Sequence, residues 1–506
     1  MDRFQPGRDR RIRPPVEEDA RRPAALQDGL MKRLLPGLFL LVAGCAELPH
    51  DLPARPTLKA PETATTLSAL SNTPGATDTP PLEEHWWTSF GLTSLDRLID
   101  TALRDAPDLA AAQARLRVAD QAERLARLDA QVHYETDASV DREHLSKNGL
   151  FPPPIGGSTF TQTDITENLS YTLDWWGKNR ALIQAAGNER QAARDEAEAV
   201  RQTLAAAVAD TYFAWADVEA RLAAARALTE SHRKAHALVK ARFDLGLDSA
   251  QPLIDARKEL DLDEDRTRSL DYLARALRYR MSALVGSDPD HAASLPTPEL
   301  GARLPALPAR LPIDWLARRP DVAALRSQVE AASDRSAAAK ADFYPNLDLR
   351  MMIGLETLDL SKLFQANSLS ASIGPALHLP IFNRQTLSAK LGMREADYAA
   401  SVAAYNRTIL EAARQAADAY ALITSLEHRS QAQQQALQET EQTRSLAEQR
   451  QQIGLASPLD TLEADSAVLA QRMNDIEIQA ARLRARVALL KALGGDALQR
   501  TLPHDH

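Results

Sequence analysis

Only one cysteine, Cys45, occurs in 506 residues, and its place limits what a thiol could do in this chain. A single cysteine cannot close an internal disulfide, and no second thiol exists to build a metal cluster. Met31 is followed by Lys32 and Arg33, then by an apolar run over 34–42, then by Ala43 and Gly44 directly ahead of Cys45. The run is too short to cross a bilayer as a helix, which takes about 20 residues, and has the shape of a secretory signal. The role of the thiol must therefore be local. The rest of the chain offers no Gly-rich phosphate loop, HExxH, CxxC or nucleophile elbow, so no enzyme and no cofactor are expected. His504 and His506 at the end of the chain could bind a metal but read as a frayed tail, and no metal site is expected.

The stretch Val42-Ala43-Gly44-Cys45 resembles the lipobox of bacterial lipoproteins, where the signal is cut and the new N-terminal cysteine is acylated. Ala46 in place of an aspartate resembles the sorting pattern for the outer membrane. Met31 is then the expected true start. Residues 1–30 are charged, Pro-rich and apolar-poor and are expected to be a start-site artefact or a disordered tail. Arg10-Arg11 raises the alternative of a twin-arginine leader, but no apolar segment follows it closely.

Net charge of −9 and the lack of a basic patch argue against nucleic acid, where Lys and Arg must neutralise phosphates. At 44% hydrophobic the chain can fold rather than stay disordered. Few glycines, few aromatics and an abundance of Ala, Leu, Glu, Gln and Arg favour long helices.

Residues 45–84 are rich in Pro, Thr and Ala without periodic apolar positions and read as an extended tether. After "HWWTSF", Leu95, Leu98, Ile99, Ala102 and Leu103 fall at helical spacing, and a helix restarts at Pro107. Residues 178–243 contain no proline and place Leu204, Val208, Trp215, Val218 and Leu222 at alternating threes and fours, a coiled-coil pattern. At 1.5 Å per residue this predicts a rod of about 100 Å. A second rod is predicted over 385–452, and returning helices over 252–284 and 458–493. The turns between them align without a gap: "RFDLGLDSAQPLIDA" from Arg242 matches "RQQIGLASPLDTLEA" from Arg450. Arg242 pairs with Arg450, Gly246 with Gly454 and Leu247 with Leu455, and Gly286 and Gly494 keep the same offset. One unit is used twice: 85–295 and 296–495, with a tail over 496–506.

Four segments have a period of two instead. Residues 133–143 set Tyr134, Thr136, Ala138 and Val140 against Glu135, Asp137, Ser139 and Asp141; residues 163–175 set Ile165, Leu169, Tyr171, Leu173 and Trp175 against Asp164, Thr166, Asn168 and Ser170, with Glu167 as a misfit. Leu347, Leu349, Met351, Ile353 and Leu355 make a third apolar face, and Leu369, Ala371, Ile373, Leu377 and Leu379 a fourth. Such two-faced strands of about ten residues are the signature of a transmembrane β-barrel. Tyr134, Trp175, Trp176, Phe343, Tyr344 and Phe382 cluster where strands meet helices and suit an interfacial aromatic girdle. Four strands cannot close a barrel, and open edges in lipid cost several kcal/mol per unpaired group, so a barrel must be shared between subunits. The alternative is a soluble sandwich with its apolar face inward. The fold expected is mainly α with a β-barrel portion: long antiparallel coiled-coil helices in a two-fold internal repeat, with four transmembrane strands per chain.

The stretch "LPIDWLARRPDVAALRSQVEAASDRSAAAKADFYPNLDLRMMIG" resembles the "RRPD…A…FYP" block of outer-membrane efflux factors, and "HWWTSF", "APDLAAAQARL", "YTLDWWGK" and "GPALHLPIFN" agree. The chain is similar to the TolC-like group, in particular its NodT or OprM-like lipoprotein branch, which serves resistance-nodulation-division pumps. That resemblance implies a homotrimer closing a twelve-stranded barrel continued by a helical tunnel, and passive export of small molecules across the outer membrane. It implies a periplasmic adaptor docking at the helix-turn tips (Arg242, Gly246, Leu247, Arg450, Gly454, Leu455) and an inner-membrane transporter supplying energy. It also implies an acidic ring at the periplasmic aperture, at Asp460 and Glu463. Ordinary solvation or helix-end stabilisation is the competing account of these charges. Arg318, Arg319 and Asp321, beside Pro320 at a helix start, suggest a structural role. A type I protein-secretion duct and a non-porous periplasmic scaffold are the alternative functions.

Overall fold

The computed structural model describes residues 54–58, 85–305 and 314–495; Cys45, the signal-like run and the terminal histidines lie outside them. Among the described residues the helices are α1 (Thr93–Asp105), α2 (Pro107–Asp129), α3 (Lys178–Asp244), α4 (Ala250–Leu284), α5 (Asp314–Arg318), α6 (Pro320–Ala341), α7 (Arg384–Gln452) and α8 (Pro458–Ala492). The strands are β1 (His133–His144), β2 (Thr159–Leu173), β3 (Asn346–Thr357) and β4 (Leu369–His378). The expected rods are there: α3 runs for 67 residues and α7 for 69, each about 100 Å at 1.5 Å per residue. No described helix is long and apolar enough to cross a membrane.

The chain divides into two units. The first, residues 131–178 and 339–391, holds the strands as one antiparallel sheet in the order β1-β2-β3-β4. The register keeps the apolar positions in rows, for example Tyr134 opposite Leu169, Leu169 opposite Met351 and Met351 opposite Ile373. Both ends of β2 differ from the alternation. β2 starts at Thr159 rather than 163 and stops at Leu173, leaving Trp175 beyond it. Its first residues are polar apart from Phe160 and carry no apolar alternation, yet they pair with the end of β1, from Val140 opposite Thr163 to His144 opposite Thr159. The cross-strand ladder extends the strand past its hydrophobic signal.

The second unit holds the helices and its own core. "HWWTSF" forms a short 3-10 helix whose Trp86, Trp87 and Phe90 are buried with Leu95 and Ile99 of α1, Tyr212 and Phe213 of α3, Met281 of α4 and Val487 of α8. The buried Trp86 Nε1 donates to Gln202 Oε1 at 3.1 Å, as an indole N–H inside a core requires. A second cluster joins Val322 and Val329 of α6 to Val402, Tyr405 and Ile409 of α7.

The internal repeat is visible in side-chain bonds as well as in sequence. Glu219 of α3 bonds Arg278 of α4 at 2.8 Å, and at the same offset Glu427 of α7 bonds Arg486 of α8 at 3.0 Å. Arg233–Glu264 in the first hairpin recurs as Glu441–Arg472 in the second, with the charges exchanged. The helix ends reverse at Gly286 and Gly494 with φ of 79° and 91°, the left-handed region that glycine enters without strain.

Arg319 is the one charged member of the "RRPD" stretch that is deeply buried. It chelates Asp321 through Nε and Nη2 at 3.1 and 2.9 Å, donates to Gln415 Oε1 of α7 at 3.1 Å, and caps the Ala492 carbonyl at the end of α8 at 3.0 Å. One guanidinium thus ties the start of α6 to two other helices, the structural role expected of it.

Candidate functional sites on the helix turns and the sheet

The two helix-to-helix turns are built alike. Gly246 and Gly454 take φ of 72° and 77°, and Leu247 N–H donates to Arg242 O at 2.9 Å while Leu455 N–H donates to Arg450 O at 2.7 Å. These are Schellman reversals, in which a left-handed glycine lets the next amide reach back to an otherwise orphaned helix carbonyl. Leu245 and Leu247 at one tip and Ile453 and Leu455 at the other are exposed.

The arginines of the two turns differ. Arg242 is clasped by Asp248 within its own turn, Nε to Oδ2 at 2.7 Å and Nη2 to Oδ1 at 3.0 Å, and the guanidinium holds the Asp248 carboxyl below the usual carboxylate range. At the aligned position the second turn has Ala456. Arg450 is exposed and makes no ion pair among the described residues. Sequence alignment of the turns already shows Asp248 against Ala456; the consequence for the two arginines follows from the clasp.

Asp460 lies in the first turn of α8, where it forms a capping box with Ser457. Ser457 N–H donates to Asp460 Oδ2 at 2.7 Å, and Asp460 N–H donates to Ser457 Oγ at 3.3 Å. The Ser-x-x-Asp spacing is the signal for this in the sequence. Pro458 occupies N1, where its missing N–H costs nothing, and so fits the turn. Glu463, one turn further along α8, is exposed. The cap accepts through one carboxylate oxygen of an exposed residue, so the capping role and an electrostatic role are compatible.

The sheet presents one apolar and one polar face. On the apolar face Tyr134, Val140, Leu349, Ile353 and Ile373 are all exposed, and no described element of the unit covers them. Glu167, the misfit on this face, accepts a hydrogen bond from Thr136 Oγ1 across the ladder. On the other face Ser139 donates to Asp164 at 2.6 Å, Gln162 to Asp164 and Glu356 at 3.0 and 3.1 Å, and Thr172 to Asp348 at 2.8 Å, a polar network spanning three strands. The outer edges of β1 and β4 pair with no strand among the described residues.

Of the six aromatics expected at an interface, four are exposed. Tyr134, Trp175, Trp176 and Phe382 are exposed. Trp176 stacks on Tyr344 with centroids 4.4 Å apart and donates Nε1–H to Pro345 O at 2.9 Å, which fixes the ring. Phe343 is a correction. At 2% exposure it is buried and cannot face lipid. It sits in the turn between α6 and β3, where period-two parity does not extend, so its neighbours in sequence do not indicate its direction.

Comparison with known proteins bears on this pairing of a two-faced sheet with repeated 100 Å helices. The sequence pattern described as outer membrane efflux protein matches residues 98–287 and 311–495, one segment in each repeat. The chain belongs to the outer membrane efflux protein family. This efflux protein is 30% identical over 471 residues to the multidrug resistance outer membrane protein MdtQ of Escherichia coli O6:H1 (strain CFT073), covering 90% of this chain and 96% of that one. It is 28% identical over 424 residues to MdtP of Escherichia coli K12, covering 82% and 86%. Among solved structures, the outer membrane protein VceC of Vibrio cholerae superposes with a TM-score of 0.74 at 30% identity, covering 82% of this chain and 99% of that one. The efflux protein is therefore an outer-membrane channel component of an efflux system, and its fold is that of the family's channels, helical tunnel and β-barrel portion together.

Proposed function

We propose that this protein is the passive outer-membrane conduit of a tripartite pump that expels small toxic molecules, including drugs, and that it is not itself an enzyme. The observation that carries the reading is the four-stranded sheet with an uncovered apolar face, a hydrogen-bonded polar face and two unpaired edges. Three copies joining β1 to β4 would satisfy every edge and enclose the polar face as a wet lumen. The relatives' names, which speak of multidrug resistance, support the class of cargo.

In this reading Cys45 carries the lipid anchor, a periplasmic adaptor docks on the exposed leucines of the tips, Leu247 and Leu455, and an inner-membrane transporter supplies the energy. Asp460 and Glu463 of three copies converge on the aperture. Their negative charge attracts cations, and their mutual repulsion must be opposed by a latch. Arg450, which its own turn leaves unpaired, is better suited to reach a neighbouring subunit than Arg242, which Asp248 already holds. The functional test is expression in a Gram-negative strain stripped of its outer-membrane efflux channels and supplied with an adaptor and pump. Restored resistance to several unrelated drugs supports the reading. A trimer correctly placed in the outer membrane that restores none, with a range of adaptors, would favour the scaffold instead.

A further inference from the structure

The stretch expected to be an unattached tether contains a residue seated in a built polar pocket. Arg55 lies against α6 and α7, where Nε and Nη2 bond the two oxygens of Glu395, each at 2.9 Å, in a bidentate pair. Glu395 is 5% exposed. Arg55 Nη2 also donates to Ser336 Oγ at 2.9 Å, and the fully buried Ser336 donates in turn to Glu395 Oε1 at 2.7 Å. Nη1 reaches Ser333 Oγ at 3.4 Å, and the guanidinium carbon lies 4.6 Å from the centre of the Tyr398 ring. Two turns further along α7, Asn406 Nδ2 donates to Thr57 O at 3.3 Å, so the segment is held at a second point.

A carboxylate is unfavourable in a protein interior unless it is paired and hydrogen-bonded. A planar, bidentate partner stacked on an aromatic ring is what a guanidinium supplies and an ammonium does not. We infer that the α6–α7 pocket of Glu395, Ser336 and Tyr398 is a docking site for the chain's own N-terminal segment, and that Arg55 is the clasp that sets the length of the arm between the lipid anchor and the folded body. This inference rests on the proposed acylation of Cys45. From Cys45 to Trp86, the first residue of the core, is a distance of 41 residues in sequence. An arm of that length can reach about 135 Å and restrains nothing. From Cys45 to Arg55 is ten residues, and the reach falls to at most about 35 Å. Docking therefore turns a slack tether into a short stay that fixes how far Glu395 can lie from the leaflet holding the lipid.

The test uses the full chain purified from membranes. A lipidated Cys45, its sulfur alkylated by a diacylglycerol group, is a thioether and leaves no free thiol, so Thr57→Cys with Asn406→Cys supplies the only two. Peptide mass spectrometry reads both the lipid and the disulfide. With the two thiols first reduced and oxidised glutathione then added as the oxidant, which leaves as two reduced glutathione molecules, the clasp predicts rapid disulfide formation in this background, slowed at least tenfold by Arg55→Met or Glu395→Gln and severalfold by the milder Ser336→Ala, with the trimer retained. Equal rates with and without Arg55, on a chain that carries its lipid, would overturn the clasp and leave the anchor standing. An Arg55-dependent disulfide on a chain whose Cys45 is an unmodified thiol would overturn the link to the membrane instead.

Discussion

Replacing Arg319 with methionine keeps most of the side chain's volume and removes every bond its guanidinium makes. Asp321 is 39% exposed at its side chain and can recover water. Gln415 and the Ala492 carbonyl are left facing an apolar group in a crowded helix junction. A hydrogen bond to a charged group contributes about 1.5–3 kcal/mol, and leaving a buried partner unsatisfied costs about 1–3 kcal/mol. With Asp321 discounted for its hydration, the loss comes to about 2–4 kcal/mol. Because that loss falls on the last turn of α8 and the first turn of α6, it should appear as local opening before global unfolding. Amide hydrogen exchange followed by mass spectrometry on the detergent-solubilised channel reads it directly. At a factor of ten per 1.4 kcal/mol, exchange over the last turn of α8 should speed up by roughly 30-fold to several hundred-fold. Exchange at the distant turns around Gly246 and Gly454 should not change. An increase below about threefold at the end of α8 would refute the assignment of Arg319 as the junction's tie. Arg319→Lys should fail nearly as badly, since an ammonium cannot serve the three partners at once.

Three further outcomes follow from the ion pairs. Glu427 serves both Arg482 and Arg486, and Arg486 is so buried that desolvation lowers its pKa. Glu427→Gln should therefore cost about 3–5 kcal/mol, against about 1–2 kcal/mol for the aligned Glu219→Gln, whose partner Arg278 is 35% exposed; melting temperatures of the purified variants compare them. Burial raises the pKa of Asp217 above its unfolded value even beside Arg221, so the native state holds that proton more tightly, and this group makes stability fall as pH rises from about the unfolded value of 3.8. Asp217→Asn should flatten that part of the stability–pH curve, and an unchanged slope would contradict it. Ala456→Asp should rebuild the Arg242–Asp248 clasp at the second turn, slowing exchange at Leu455 by no more than about fivefold, because the arginine of such a pair stays largely in water, 45% exposed at Arg242.

The long helices and the strands were legible because each writes a period over many residues. The repeat was legible because its turns align without a gap. What the sequence withheld were bonds between residues far apart in the chain. Nothing in a Pro-rich stretch marks Arg55 as the partner of Glu395, 340 residues on, and nothing in "RRPD" says that the second arginine, not the first, caps α8. Phe343 was misplaced because an aromatic in a turn belongs to neither period. The opening of β2 was missed because its polar residues are held by the ladder with β1 rather than by burial. In the first turns of α8 the acidic residues were readable, and so was the Ser457-x-x-Asp460 signal, but the capping bond that gives Asp460 its orientation needed coordinates.

The capping box also decides how the central claim should be tested. Asp460→Ala would remove charge and cap together, whereas Asp460→Asn with Glu463→Gln removes the charge and leaves an oxygen to accept from Ser457 N–H. Single-channel conductance in planar bilayers should be measured for the purified wild type and for this double variant. A small wild-type conductance that rises severalfold in the variant, with weaker preference for cations, is the predicted result. A folded trimer that conducts nothing in either form would contradict the channel, and equal conductance in both would remove Asp460 and Glu463 from its aperture.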